Sequence, residues 1–216
     1  KGISFERGFD ERNLSNPALV SDIHRAYIDA GADVIETNTF GANRLKLGEH
    51  GLTNKVVDIN QAAVQLARRG VEASFKKGFI AGSIGPLGPK LAPLGRLSAG
   101  EARAAFQDQI AVLIEGGVDL LLFETFADLL ELREAITVAR EVSSDIPLVA
   151  QITFTQDGRT PLGHTPQKVA EQLDGLSIDV IGINCSVGPA DVLRTLQSLA
   201  RFLPDGARLS DHPNAG

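Results

Sequence analysis

Short apolar runs alternate with amphipathic helical stretches along almost the whole chain. The clearest runs are 33–37 (DVIET), 79–83, 119–123 (DLLLF), 147–154 and 179–184, and a sixth, weaker run starts at Ala207. Continuous apolar strands separated by helices are typical of a parallel sheet that is covered by helices. The order of elements therefore predicts an α/β fold.

Capping residues predict where several of the helices begin. Ser15 or Asn16 followed by Pro17 predicts a helix over 18–30, and Ser98 with Glu101 forms a capping box that opens a helix to about Glu115. Apolar spacing predicts the remaining helices, which cover 55–75, 127–142, 165–173 and 190–202. The glycine- and lysine-bearing stretch before residue 55 is predicted to be a loop.

Two architectures fit this order: an open, doubly wound sheet and a (β/α)₈ barrel of the TIM type. A full barrel typically needs about 250 residues, and this chain has 216. Five clear strands and one weaker strand therefore predict a barrel that lacks about two strand units.

An internal repeat favours the barrel. The segments 31–40 (GADVIETNTF), 117–126 (GVDLLLFETF) and 177–186 (SIDVIGINCS) align without gaps, each with aspartate in third place. Their eighth places hold Asn38, Glu124 and Asn184. These segments would be the second, fourth and sixth strands of a complete barrel. Alternate barrel strands contribute to a common layer, so the three side chains are predicted to project together at the mouth of the barrel. The alternative is coincidence among short apolar strands.

Cys185 is the single cysteine, and it follows directly on the apolar strand that ends at Asn184. The carboxyl end of a strand is where α/β proteins place their chemistry, although a lone cysteine is also a common buried hydrophobe. Neighbours in a regular strand point to opposite faces. If Asn184 and Cys185 serve one pocket, the strand must therefore end or bulge before Cys185.

Polar side chains also end two other strands. Glu124 closes an apolar strand, so it is expected either to have a raised pKa or to pair with a cation such as an α-amino group; a structural salt bridge or a helix cap is the alternative. Thr37 and Asn38 offer short polar groups, for which turn formation is the alternative. The stretch 82–88 (GSIGPLG) lets backbone approach a ligand but lacks the Lys-Ser/Thr of a phosphate loop.

Composition excludes several classes of partner. A net charge of −6 and the absence of tryptophan argue against nucleic acid, and no apolar run approaches the ~20 residues of a membrane-spanning helix. One cysteine cannot form an internal disulfide, which predicts a reducing, cytoplasmic setting. The four histidines show no metal-binding spacing and are predicted to be surface or capping residues.

Six motifs in order carry a family likeness: ADVIETNTFGANRLKL, GSIGPLG, FETFADLLEL, DGRTPLGHTP, GINCSVGP and HPNAG. From about Asn13 onward the chain resembles the homocysteine S-methyltransferase domain. That domain is the zinc-dependent barrel of methionine synthases and of homocysteine methyltransferases fused to a methylenetetrahydrofolate reductase.

The resemblance implies one barrel domain over residues 1–216 that methylates the zinc-bound thiolate of homocysteine and so forms methionine. It makes Cys185 a zinc ligand, places Glu124 on the amino group of homocysteine and Thr37 in the amino-acid site, and gives Asn184 an orienting role beside the ligand. Asn38 joins the substrate-binding set through the repeat. The methyl donor stays open, since methylcobalamin, S-methylmethionine, S-adenosylmethionine and betaine each serve relatives.

The family pattern also contains parts that this sequence lacks. The remaining zinc ligands of the family, an adjacent cysteine pair near the last strand, and its first strand are not found between Lys1 and Gly216. We therefore expect a partial barrel without its first and last strand units, inactive by itself and belonging to a longer chain whose other domains could handle cobalamin or folate. The alternatives are a non-catalytic barrel remnant that serves as an interaction module and a pterin-binding type of barrel methyltransferase.

Overall fold

The computed structural model describes residues 8–74 and 77–214. Within them, six strands form one parallel sheet: β1 (Val34–Glu36), β2 (Phe79–Ile84), β3 (Leu120–Phe126), β4 (Leu148–Ile152), β5 (Val180–Asn184) and β6 (Arg208–His212). Phe75 and the last two residues of the HPNAG motif lie outside the described residues.

Helices connect the strands and cover one face of the sheet. They are α1 (Arg12–Ser15), α2 (Pro17–Asp29), α3 (Arg44–Glu49), α4 (Val56–Ala73), α5 (Ala99–Glu115), α6 (Leu129–Val142), α7 (Pro166–Leu173) and α8 (Pro189–Ala200). In the part of the chain that the structure describes, none of these helices is long and apolar enough to cross a membrane.

The predicted caps are confirmed. Asn16 accepts a hydrogen bond from the Leu19 amide at the start of α2, with Pro17 in the first turn. Ser98 and Glu101 form the reciprocal capping box that opens α5. These bonds satisfy amides that have no partner within their own helices. Because the capping residues are neighbours in the chain, the starts of these two helices could be predicted from the sequence.

The prediction of a continuous loop before residue 55 was wrong, because α3 lies within it. Asn43 caps this helix by accepting hydrogen bonds from the Leu45 and Lys46 amides, and Leu47 is buried beneath it. Six residues are too few for helical periodicity to show in the sequence. The helix forms because a cap and one buried leucine hold it.

The strands lie side by side in their chain order, β1 to β6, and every neighbouring pair is parallel. A doubly wound sheet reverses its strand order at a switch point, whereas sequential order is that of a barrel. The structure therefore confirms the barrel-type α/β fold. Among the described residues, β1 and β6 each pair with one neighbour, so this sheet is incomplete as a barrel.

The two faces of the sheet differ in polarity. Ile35, Ile80, Phe123 and Ile183 pack into the main apolar core with the helices. Because side chains alternate between faces, Ser83, Glu124, Gln151 and Asn184 point to the opposite, inner face. The helix-covered face therefore holds the fold together, and the inner face carries polar groups.

In two of the three repeat segments the aspartate has a structural role at the amino end of its strand. Asp119 accepts a hydrogen bond from the Ile80 amide at 2.7 Å and pairs with Arg68. Asp179 accepts one from the Leu148 amide at 2.8 Å and pairs with Arg140. Each of these two aspartates connects the start of its own strand to the preceding strand. The sequence repeat therefore reflects the same contact made at two positions in the sheet.

We expect Gly182→Ala to unfold the β5–β6 edge. A Cβ at Gly182 would overlap the side chain and backbone of Ser210 on β6, and overpacking of this kind costs about 2 kcal/mol. Chemical denaturation measures the free energy of unfolding. Gly100→Ala in α5 is the control, since a Cβ there would meet nothing within 4 Å apart from its chain neighbours and the backbone of its own helix; equal stability of the two variants would contradict the expectation.

Candidate functional site

A cavity of about 870 Å³ opens where the carboxyl ends of β1, β2, β3 and β6 come together. Polar groups line it on the sheet side, and α2 contributes apolar side chains, among them Ile23 and Tyr27. Its polar lining residues include Glu36, Thr37, Asn38, Ser83, Glu124 and His212. Three of the sequence-predicted site residues, Thr37, Asn38 and Glu124, therefore share one cavity.

Glu124 is a partly buried carboxylate that accepts a hydrogen bond from the Ser83 hydroxyl at 2.5 Å. Burial raises its pKa, and the charge of Glu36 raises it further, while the Ser83 hydrogen bond and His212 oppose the shift. Asp128, and not Glu124, caps α6, and within residues 8–74 and 77–214 no basic side chain forms an ion pair with Glu124. The salt-bridge and helix-cap alternatives are thus excluded for the described residues, and the site favours a cationic ligand.

Glu36 is a second carboxylate in this cavity, and sequence reasoning did not select it. Burial raises its pKa, and its Oε1 lies 3.8 Å from Nδ1 of His212. His212 is exposed, as predicted for a surface histidine, and it also lines the cavity. The available signal was the strand position of Glu36, which lies two residues before Asn38 and so on the same face.

Thr37 joins the ends of β1 and β2. Its Oγ1 accepts a hydrogen bond from the Ser83 amide at 3.1 Å and lies 2.6 Å from Oγ1 of Thr39. Because the Thr39 hydroxyl donates to the Ser83 carbonyl oxygen at 2.7 Å, Thr37 is the donor in the bond between the two threonines. Its hydroxyl proton is therefore engaged within the protein.

Asn38 faces the cavity rim and the segment that precedes α2. Its side-chain amide donates to the Phe9 carbonyl oxygen at 2.9 Å and to Oδ1 of Asn13 at 3.1 Å. Asn13 in turn donates to the Asn38 carbonyl oxygen at 2.8 Å. The side chain therefore has a structural role, and its contact with substrate stays a prediction.

Asn184 and Cys185 lie at the end of β5, next to Thr125 at the end of β3. Asn184 accepts a hydrogen bond from the Thr125 amide at 2.9 Å and donates to its hydroxyl at 2.8 Å. The Thr125 hydroxyl also lies 3.7 Å from the Cys185 sulfur. Asn184 thus bridges the strand that carries Glu124 and the strand that carries the thiol.

The backbone leaves strand geometry at Cys185. Its φ is 57°, followed by 68° at Ser186, and Thr125 at the end of β3 has a φ of 63°. Positive φ is unusual for residues other than glycine and often marks functional sites. The strand therefore ends at Asn184, as the sequence required if Asn184 and Cys185 serve one site. Cys185 stays partly exposed.

The donors around Cys185 do not by themselves form a zinc site. Zinc sites need three or four protein ligands, drawn from thiolate, imidazole and carboxylate groups. No group of three or more such side chains in the described part of the chain is placed to hold a metal ion. Among the described residues, the side-chain groups within hydrogen-bonding distance of the sulfur are the hydroxyl of Thr125 and the amide of Asn184, which are not zinc ligands of this kind. Cys185 therefore offers a single ligand.

Comparison with known proteins gives one consistent result. The sequence model of the family described as homocysteine S-methyltransferase matches residues 6–216. The chain is 35% identical to a methionine synthase of Mycobacterium tuberculosis and 34% identical to one of Mycobacterium leprae, each over 94% of this chain. It spans 17% of the length of each of these relatives.

Solved structures agree on the fold. The metallated form of the homocysteine methyltransferase MmuM from Escherichia coli superposes with a TM-score of 0.85 at 22% identity, covering 100% of this chain and 78% of that one. Its oxidised form gives a TM-score of 0.81 at 21% identity and is covered over 86% of its length. The likeness at this level of identity establishes the barrel-type architecture.

We expect Asn184→Ala to destabilise the chain by about 1–3 kcal/mol, because it removes the acceptor of the Thr125 amide. The thiol of Cys185 should also react faster with a thiol reagent, since the same side chain holds Thr125 beside it. Denaturation and thiol-labelling rates measure the two effects. Asn54→Ala, at an exposed site, is the control, and a variant indistinguishable from it would contradict the bridging role.

Proposed function

This chain belongs to the homocysteine S-methyltransferase family, and we propose that its domain, residues 1–216, takes part in methyl transfer to the thiol of homocysteine, which gives methionine. The observation that carries the proposal is Glu124, a partly buried carboxylate in a cavity at the carboxyl ends of the strands. A carboxylate without a cationic partner in such a place is suited to an α-amino group.

In this proposal the amino acid lies in the cavity with its ammonium group against Glu124. Ser83 holds one oxygen of that carboxylate in place, and a bound ammonium relieves the repulsion that Glu36 exerts on it. Thr37 lines the same wall. Asn38 is assigned to the rim, and Asn184 orients the ends of β3 and β5 through Thr125.

Cys185 is proposed as one ligand of a zinc ion. Such an ion would supply Lewis-acid chemistry that favours the thiolate form of homocysteine. Because the described residues do not complete a zinc site, we assign no step of the reaction to the metal. The proposal places the remaining ligands, the methyl donor and any cobalamin or folate chemistry with other parts of a longer protein, in keeping with the 17% coverage of the methionine synthases. A cytoplasmic location, predicted from the single cysteine, is part of the same proposal.

A second function stays open because of this incomplete donor set. A barrel with one candidate ligand could act as a non-catalytic interaction module. Ligand binding distinguishes the two functions, because an interaction module has no need to bind homocysteine.

We predict that L-homocysteine binds the cavity and that Glu124→Gln weakens its binding about tenfold, because the hydrogen bond from the ammonium group then goes to a neutral acceptor in place of a carboxylate. Shift changes in two-dimensional NMR spectra measure even millimolar affinities. A comparison ligand, 4-mercaptobutyrate, has no amino group, so its affinity should be the same in both proteins.

Glu115→Gln is the matched control, because it removes an exposed carboxylate at the far end of α5. Its affinity for L-homocysteine should equal that of the unmodified chain. No binding of L-homocysteine to the unmodified chain, or equal affinities of the Glu124 and Glu115 variants, would count against the proposed site.

We also predict that a polypeptide of these 216 residues retains much less than one zinc ion per chain after desalting, because Cys185 is a single ligand. Elemental analysis of the purified chain measures this, with Cys185→Ser as the control. Stoichiometric zinc that disappears in the serine variant would contradict the prediction and show a complete site.

A further inference from the structure

A buried carboxylate lies behind the cavity wall, outside the site described above. Glu131 in the first turn of α6 is only 6% exposed. Its Oε1 accepts a hydrogen bond from the Leu87 amide at 2.7 Å. Leu87 is itself fully buried, so the carboxylate fixes the loop 85–88 that follows β2.

This loop contacts the cavity wall through Phe40. The Gly85 amide donates to the Phe40 carbonyl oxygen at 3.0 Å, and a Cβ at Gly85 would overlap the Phe40 ring. Phe40 lines the cavity. Two residues before Gly85, Ser83 also lines it and holds Glu124. The loop thus lies directly behind two parts of the wall.

The ammonium group of Lys46 contacts the same aromatic ring. Its Nζ lies 4.4 Å from the centroid of Phe40, within the range of a cation–π interaction. The charges of Asp10 and Glu131 both act on this ammonium group, and Asp10 accepts a hydrogen bond from the Gly41 amide at 2.9 Å. Phe40 therefore packs between the anchored loop and a cation that Glu131 helps to stabilise.

We propose that Glu131 is a positioning residue for the amino-acid cavity: by holding the Leu87 amide it fixes the loop 85–88 and, through Gly85, the Phe40 and Ser83 wall. The identity of the ligand rests on the proposed function, whereas the anchoring of the loop does not. Glu131 touches neither the cavity nor any reacting group, so its effect on binding is exerted through the wall.

A role in the helix dipole alone does not account for this geometry. A glutamate in the first turn stabilises a helix through the helix dipole, and it can do so while exposed to solvent. Burial of the carboxylate costs free energy, and the dipole interaction does not require that burial. Burial raises the pKa of Glu131 to about 7, with Asp128 adding to the shift and the Leu87 amide and Lys46 opposing it. The directed bond to Leu87 gives the buried carboxylate its partner.

Two substitutions separate the anchor from the charge. Glu131→Leu removes the acceptor of the Leu87 amide, whereas Glu131→Gln keeps a carbonyl oxygen at the same place. The matched control is Glu134→Leu, one turn further along α6, which loses a contact with Arg103 and leaves the loop untouched.

Amide hydrogen exchange by NMR tests the anchor in the 216-residue chain. In Glu131→Leu the Leu87 and Gly85 amides should exchange at least about tenfold faster relative to amides in β3, as expected for the loss of one buried hydrogen bond. In Glu131→Gln and Glu134→Leu these two amides should stay protected relative to β3. Uniform acceleration across the molecule in Glu131→Leu would overturn the anchoring role.

The titration of Glu131 provides a second readout. The folded chain retains this proton up to about pH 7, while an exposed carboxyl group releases it near 4.5. The contribution of Glu131 to the free energy of unfolding therefore falls as the pH rises from about 4.5 to about 7. Glu131→Gln should lose that decrease, and an unchanged pH profile in this variant would contradict the buried charge.

Affinity for L-homocysteine tests the link to the cavity. Glu131→Leu should weaken binding several-fold, Glu131→Gln should restore it, and Glu134→Leu should not change it. Equal affinity in Glu131→Leu would overturn the positioning role while leaving the proposed function intact. If the unmodified chain does not bind L-homocysteine, the proposed function and the link to that ligand both fail, and hydrogen exchange still decides the anchor.

Discussion

The site depends on how backbone amides are satisfied where the parallel strands end. An amide beyond the last ladder bond still needs an acceptor when it is buried, and this chain supplies polar side chains for that purpose. Thr37 accepts from the Ser83 amide, Asn184 from the Thr125 amide and Glu131 from the Leu87 amide. Neighbouring strand ends and loops are thereby held in fixed positions around the cavity.

The same interaction decides which polar groups remain for a ligand. Asn184 uses both ends of its side chain on Thr125, and Asn38 donates to the segment before α2. Glu124, in contrast, is held by one hydroxyl and repelled by Glu36. The side chains of Asn184 and Asn38 therefore have structural roles, whereas the carboxylates and the thiol are the groups that remain to interact with a ligand.

Residues that act within one strand or one helix turn could be predicted from the sequence. The apolar strands, the Ser98–Glu101 capping box and the end of β5 at Asn184 are of this kind, because each depends on neighbours in the chain. Glu36 and His212 were missed as parts of the site, and Glu131 was missed as the anchor of the loop behind it. Their roles arise from contacts between elements far apart in sequence, such as Glu36 with His212 across the open side of the sheet. The spacing of Glu36 from Asn38 indicates its face of the strand but not its partner.

The two carboxylates explain why a ligand should stabilise this domain. Burial raises the pKa values of both Glu36 and Glu124, and Glu36 raises that of Glu124 further by its charge. Two partly buried like charges lower the stability of the empty cavity, and His212, 3.8 Å from Glu36, opposes the pKa shift of Glu124. A bound ammonium group removes the repulsion at any pH at which the carboxylates are ionised. In the proposed function, binding of an ammonium group and folding are therefore linked through the same pair of side chains.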